Sequence, residues 1–374
     1  MRAAASGSGM TSASDAVAAG RGPAASFPGR TGMRHTTSAT LAGHDPAGLL
    51  DFFAAELADH GLPFEQAQPG RYQSVMPAGA LYLLREQGAL RLTLQAGGLA
   101  QLHGLRDLVI EHLAEYSADL AAGLVWSDLA GAGAAPPNFR LMRALSVTRP
   151  SPIYLRVRLA GEDLHSFDAD EMHFRLLLPP AGRPAQWPVL SANGQTLWPK
   201  GDAALHRPAY TIRHIDAKAG WLEFDLFRHA GGRATAWAEA LRPGDAVGVI
   251  GPGGGGFPCA PWLLMAGDET ALPAIARIAE RLPAQTRGHV IVELGDAAGR
   301  QPLAAPAGMR VEWRIRRGHS ALFAAAQAVA VPDTGRYVWF AGEKAQAQQA
   351  RSWFRESRGL TADESYISGY WKAR

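Results

Sequence analysis

The chain has 374 residues, 47% of them hydrophobic, which is enough apolar material for two or three separate cores. Its 37 basic and 34 acidic residues leave a formal charge of +3 with no long block of either sign, which argues against a nucleic-acid-binding arm or an acidic tail. A single cysteine, Cys259, excludes an internal disulfide, a cysteine-ligated zinc site and an iron–sulfur cluster held by this chain alone, so redox chemistry would have to come from an organic cofactor or a non-cysteine metal site.

Residues 1–36 are rich in Ala, Gly and Ser but lack the continuous apolar core of a signal peptide, and they read as a disordered leader. No uninterrupted apolar run in the chain reaches the roughly 18 residues of a membrane span. A cytoplasmic protein without membrane insertion is expected. Residues 37–128 read as a small α+β domain. "DPAGLLDFFAAELADHG" has helical spacing with Asp45 as its cap, "GALYLLRE" and "GALRLTLQA" are strand-like, and "LRDLVIEHLAEYS" closes the unit as an amphipathic helix. His44, His60, His103 and His112 show no tight ligand spacing and are read as surface or core histidines, with no metal expected.

Residues 129–139 have linker composition. From 140 to 258 the texture is one of short strands, "YLRVRLAG", "MHFRLLLPP", "AYTIRHID", "WLEFDLFRHA" and "AVGVIG", which indicates an antiparallel β-barrel. From 259 to 374 strands and helices alternate, from "PWLLMAG" and "ALPAIARIAERL" to "YVWFAGE" and "AQAQQARSWFRESRG". That alternation predicts an α/β domain with a parallel sheet.

Two stretches compete for the role of phosphate loop. "GVIGPGGGGFPC" contains a literal G-x-G-x-x-G at Gly251, Gly253 and Gly256, but Pro258 and Pro261 oppose the helix that a dinucleotide fingerprint requires. It reads as a flexible loop between barrel and nucleotide domain. "FRHAGGRATAWAEAL" is a better candidate: a strand ends, Gly231 and Gly232 allow close backbone approach, and Thr235 is placed to cap a helix from about Ala236 with Trp237 on its inner face. An ordinary capped helix explains the same residues. Upstream, "RPAYTIR" supplies Arg207 to clamp phosphate, Tyr210 to pack on a flat ring and Thr211 to hydrogen-bond a flavin edge.

The spacing Arg-x-x-Tyr-Thr resembles the flavin motif of the ferredoxin-reductase superfamily. Taken in order with "GRATAWAEALRPGD", "VIGPGG", "GDETALPAI", "VWFAGE" and the terminal "SGYWKAR", it resembles the siderophore-interacting protein family over roughly residues 140–374. The resemblance implies an oxidoreductase that uses FAD and NADPH or NADH to reduce ferric siderophores and release Fe(II). It assigns Arg207, Tyr210, Thr211, Arg213, His229, Ala234, Thr235, Ala236 and Trp237 to FAD, with Tyr210 and Thr211 at the reactive ring. Asp268, Glu269, Thr270, Ala271, Gly342 and Glu343 go to NAD(P)H, where the acids alternatively cap a helix. Arg316 and Arg317 either bind a 2′-phosphate or are solvated. Trp371 is assigned to the flank of the flavin, and Lys372 and Arg374 to attraction of an anionic ferric chelate. Two other readings stay open: a general flavin or quinone reductase, and a non-catalytic siderophore- or flavin-binding carrier. Residues 37–128 resemble a small bacterial domain of unknown role that accompanies such reductases, with its protein partner unknown.

Overall fold

The computed structural model describes residues 35–59, 62–76, 78–128 and 131–373, so most of the expected leader, His60 and Arg374 lie outside the described residues. β1 (His35–Ala42) begins within the bounds expected for the leader and is followed by α1 (Pro46–Asp59), β2 (Glu65–Gln68), β3 (Arg71–Met76), β4 (Gly79–Glu86), β5 (Ala89–Ala96), α2 (Leu99–Tyr116) and α3 (Ala118–Gly123). The five strands form one antiparallel sheet in the order β1-β5-β4-β3-β2. Alternation in β5 sends Leu90, Leu92 and Leu94 into a core shared with Leu49 and Phe53 of α1 and Leu105 and Leu113 of α2. Only β4 and β5 are legible as strands in the sequence. β2 is exposed at every position and carries no apolar alternation to mark it.

The second layer is a closed six-stranded barrel. It is built from β6 (Phe139–Ser151), β7 (Tyr154–Ala160), β8 (His173–Leu177), β11 (Ala209–Asp216), β12 (Trp221–Phe227) and β13 (Ala246–Gly253), in the order β11-β12-β7-β6-β13-β8. A two-strand ribbon, β9 (Val189–Leu190) with β10 (Thr196–Leu197), projects from it, and α4 (Arg233–Ala240) follows β12. The 131–138 stretch is tied to that ribbon, with the Gly133 amide donating to the Leu190 carbonyl and the Leu190 amide to the Ala134 carbonyl, both at 2.8 Å.

The third layer is a parallel sheet. β14 (Trp262–Asp268), α5 (Leu272–Ala279), β15 (Arg287–Leu294), β16 (Gly308–Ile315), α6 (Leu322–Gln327), β17 (Arg336–Glu343), α7 (Lys344–Arg351) and β18 (Ser365–Trp371) give the strand order β16-β15-β14-β17-β18. Leu263 and Met265 of β14 pack with α5, while Leu264 and Ala266 pack with α6 and α7, so the sheet is buried on both faces. The terminal "SGYW" segment, read from sequence as a tail, is the edge strand β18, paired parallel to β17.

α5 joins sheet to barrel. All eight of its residues are buried, Arg277 Nη1 donates to the Ile212 carbonyl of β11 at 2.6 Å, and Glu280 just beyond it pairs with Arg213. The glycine run after Gly253 starts no helix, as its prolines imply. It runs beside His173 and Tyr366 and ends with the Phe257 ring under Arg281 at 4.3 Å.

Candidate active site

In a parallel sheet the ligand crevice lies outside the carboxyl ends of the strands, where the strand order reverses. Here β14 is followed in the chain by β15 on one side and is flanked by β17 on the other, and the residues at the β14 end are Asp268, Glu269 and Thr270. Asp268 is 2% exposed. Its Oδ1 accepts from the Thr270 amide at 2.9 Å and the Thr270 hydroxyl at 2.6 Å, and its Oδ2 accepts from the Trp371 indole at 2.7 Å. Burial pushes its pKa up, and the bonds from Thr270 and Trp371 oppose that shift.

Gly342, at the end of β17, faces this carboxylate so closely that a Cβ there would stand 2.9 Å from Oδ2. Glu343 caps α7, its Oε2 accepting from the Ala345 and Gln346 amides at 2.7 and 3.1 Å. Ala271 is fully buried at the start of α5.

The barrel meets this end of the sheet through Tyr154 of β7, whose hydroxyl donates to the Glu269 carbonyl at 2.5 Å. Tyr154 also packs edge-on against Phe227, the last residue of β12. Beyond Phe227 the chain turns at His229 and Gly231 into α4. Thr235 is not the cap of that helix: Gly232 is, with no side chain bonded to the first turn, and the Thr235 hydroxyl turns back to accept from the His229 amide at 3.3 Å. Ala234 and Thr235 are buried, Trp237 is half-buried, and Ala236 and His229 are exposed.

On β11, Tyr210 and Thr211 point to opposite sides of the barrel wall. Tyr210 packs on Phe224 and Phe174 at centroid distances of 5.0 and 6.4 Å, and burial raises its pKa. Thr211 is 4% exposed and registers with His173 of β8. Arg207 is exposed, with its guanidinium 4.2 Å over the Trp198 ring. Arg213 is buried and gives both terminal nitrogens to Glu280, one at 2.7 Å, so its charge is spent on the barrel–sheet contact.

Arg316 is similarly committed. It pairs with Glu269, with one contact at 3.1 Å, and lies 3.9 Å from Glu293 Oε2, whereas Arg317 is exposed. Lys372 is exposed beside Trp371.

Sequence reasoning missed His173 and Tyr370. The Tyr370 hydroxyl lies 2.8 Å from His173 Nε2, the rings meet edge-on, and burial, with Arg277 nearby, lowers the His173 pKa to about 4. The two residues are 197 positions apart, so no local spacing signals the pair.

Residues 143–256 match the siderophore-interacting FAD-binding domain model, and residues 260–374 match the siderophore-interacting protein model. The chain is 32% identical to the ferric vibriobactin reductase ViuB of Vibrio cholerae over 232 residues, which are 58% of this chain and 83% of that protein. It is 28% identical to the NADPH-dependent ferric-chelate reductase of Escherichia coli over 248 residues, covering 63% of this chain and 94% of the relative. A solved structure of a siderophore utilization protein from T. fusca superposes with a TM-score of 0.57 at 32% identity, covering 65% of this chain and 95% of that one.

Proposed function

The chain belongs to the siderophore-interacting protein family and is an FAD-dependent oxidoreductase, and on that premise we propose that it reduces ferric siderophores with electrons taken from NAD(P)H. The observation that carries this reading is the meeting of two surfaces. The barrel edge formed by Tyr154 and Phe227 packs into the core of the sheet and meets the β14 end through the Tyr154 bond to the Glu269 carbonyl.

The residues fit FAD. α4 begins without a side-chain cap, leaving first-turn amides open to a pyrophosphate, and Gly231, at φ +75°, has no atom within 4 Å of where a Cβ would stand. Ala234, Thr235 and Ala236 would hold the pyrophosphate with His229 at the mouth, Trp237 would back the helix, and Arg207, Tyr210 and Thr211 would hold the remainder of the cofactor. Arg213 supports β11 from behind. When bound, FAD supplies a hydride acceptor able to return single electrons.

Asp268, Glu269, Thr270 and Ala271, with Gly342 and Glu343 across the cleft, would orient the nicotinamide nucleotide against that surface. Lys372, exposed beside Trp371, and Arg374 would add positive charge that favours approach of an anionic chelate. No general acid or base on iron is needed, because reduction itself weakens an oxygen chelate.

The test is one anaerobic absorbance trace of the FAD-loaded protein, adding NADPH or NADH in parallel cuvettes and then a ferric siderophore. Bleaching by nucleotide and recovery on adding the chelate, with Fe(II) appearing, is the expected result. A flavin that neither nucleotide bleaches would remove the hydride route through Thr270. Equal turnover with free flavin or quinone and no preference for the chelate would favour a general reductase.

A further inference from the structure

The helices of the N-terminal unit bring together three side chains that no single spacing joins. His112 and Glu115 stand three residues apart on α2 and so leave the same face of the helix, and Glu56 of α1 meets them from across the helix pair. His112 Nδ1 lies 2.7 Å from Glu56 Oε2, and one ligand atom from each of the three residues falls within 4.8 Å of the others. We infer that Glu56, His112 and Glu115 form a binding site for a divalent first-row transition metal ion.

The charges argue for a cation. Two carboxylates converge on one imidazole, so with the ring neutral the cluster carries two negative charges, which a divalent ion cancels. One imidazole nitrogen with two carboxylate oxygens suits Zn(II), Mn(II) or Fe(II) and disfavours the soft ion Cu(I). Ions of this kind hold their ligands at about 2.0–2.2 Å, which sets neighbouring ligand atoms about 3 Å apart. The Glu56–His112 pair already has that separation, and a carboxylate oxygen of Glu115 stands within 4.8 Å of both. Glu56 and His112 are half-buried and Glu115 is exposed, so the remaining coordination positions face solvent and accept water or an exchangeable ligand. Metal binding here stands apart from the reductase reading; only the choice of Fe(II) as the ion held in the cell, the product of the proposed reaction, rests on it.

The experiment titrates the full FAD-loaded chain with Mn(II) and follows the six-line magnetic-resonance signal of the free ion. Wild type is expected to suppress that signal up to one ion per chain, with Zn(II), and Fe(II) under anaerobic conditions, displacing the Mn(II). Glu115→Gln, at the exposed position, and Glu56→Gln are each expected to weaken binding by about tenfold or more, with the flavin spectrum and thermal transition unchanged. Full signal in wild type, or Mn(II) affinity in both variants equal to that of wild type, overturns the site. Displacement by Zn(II) but not by Fe(II) overturns the iron assignment alone. Failure of nucleotide to bleach the flavin would sink the reductase reading and leave the Mn(II) titration as it is.

Discussion

The indole Nε1 of Trp371 donates to Asp268 Oδ2 at 2.7 Å, fastening the edge strand β18 to the mouth of the central strand β14. One hydrogen bond therefore links the fold of the sheet to the carboxylate at its switch point.

Trp371→Phe keeps an aromatic ring and removes the donor. Asp268 is buried, so its Oδ2 is left short of a partner, but Trp371 is itself 38% exposed and water can take part of its place. A loss of about 1 kcal/mol in urea unfolding is expected, with KM for the nucleotide changed several-fold and kcat changed less. Unchanged stability together with unchanged KM would make the bond incidental.

His173 sets an acid dependence. Its pKa falls from 6.5 to about 4 on folding because burial and the Arg277 charge disfavour the imidazolium. Between those values the unfolded chain binds a proton that the folded chain does not, so stability is full above pH 6.5, falls as the pH drops toward 4 and levels off below it. The loss reaches about 3 kcal/mol by this group. His173→Gln should flatten the slope of unfolding free energy over that window, and an unchanged slope would contradict the buried neutral state.

The docking of the N-terminal unit has a compensated pH response. Thr196 Oγ1 of the ribbon lies 2.8 Å from both His103 Nε2 and Asp107 Oδ2 of α2. Burial lowers His103 to about 4 and raises Asp107 to about 6, so on acidification the first costs stability while the second restores it. Thr196→Val removes both hydrogen bonds at constant shape. The expected cost is about 2 kcal/mol, and the Asp107 pKa, which the Thr196 bond holds down, should rise further in a carboxylate NMR titration.

Arg316 and Arg317 separate structure from coenzyme choice. Arg316→Ala strands Glu269 and Glu293, which are 5% and 2% exposed, and should destabilise the protein by about 3 kcal/mol while lowering efficiency with both coenzymes alike. Arg317 is the neighbouring cation left open to a 2′-phosphate. Arg317→Ala should lower kcat/KM for NADPH by about tenfold and leave NADH unchanged. A selective NADPH loss in the Arg316 variant would reverse these roles.

Much of the architecture was legible because local pattern reports local burial. The alternation in "GALYLLRE" and "GALRLTLQA" marks β4 and β5 residue for residue or nearly so, and the apolar runs "WLLMA" and "VIVEL" mark central parallel strands covered on both faces. β6 and β18 escaped. β6 is an exposed-patterned barrel strand behind a linker-like segment, and β18 is a short edge strand whose pairing with β17 comes from chain folding and not from its own periodicity. The glycine turn marks the helix after Gly231 but not its cap, because Thr235 lies inside the first turn and its hydroxyl accepts from the His229 amide behind it.

By itself the sequence determined the fold class, the order of its layers and the ordered flavin and nucleotide motifs, since each is written within a few consecutive residues. Only the tertiary structure decided which charges are paired: the resemblance assigns Arg213 to FAD, and Arg316 reads equally as a 2′-phosphate ligand or a solvated cation, whereas packing brings Glu280 to the first and Glu269 to the second. It likewise joined His173 to Tyr370, and Glu56 to His112 and Glu115. The physical reason is the same in each case. A side chain's charge is assigned by whichever partner packing brings within hydrogen-bond reach, and that partner is set by long-range contacts that no local spacing records.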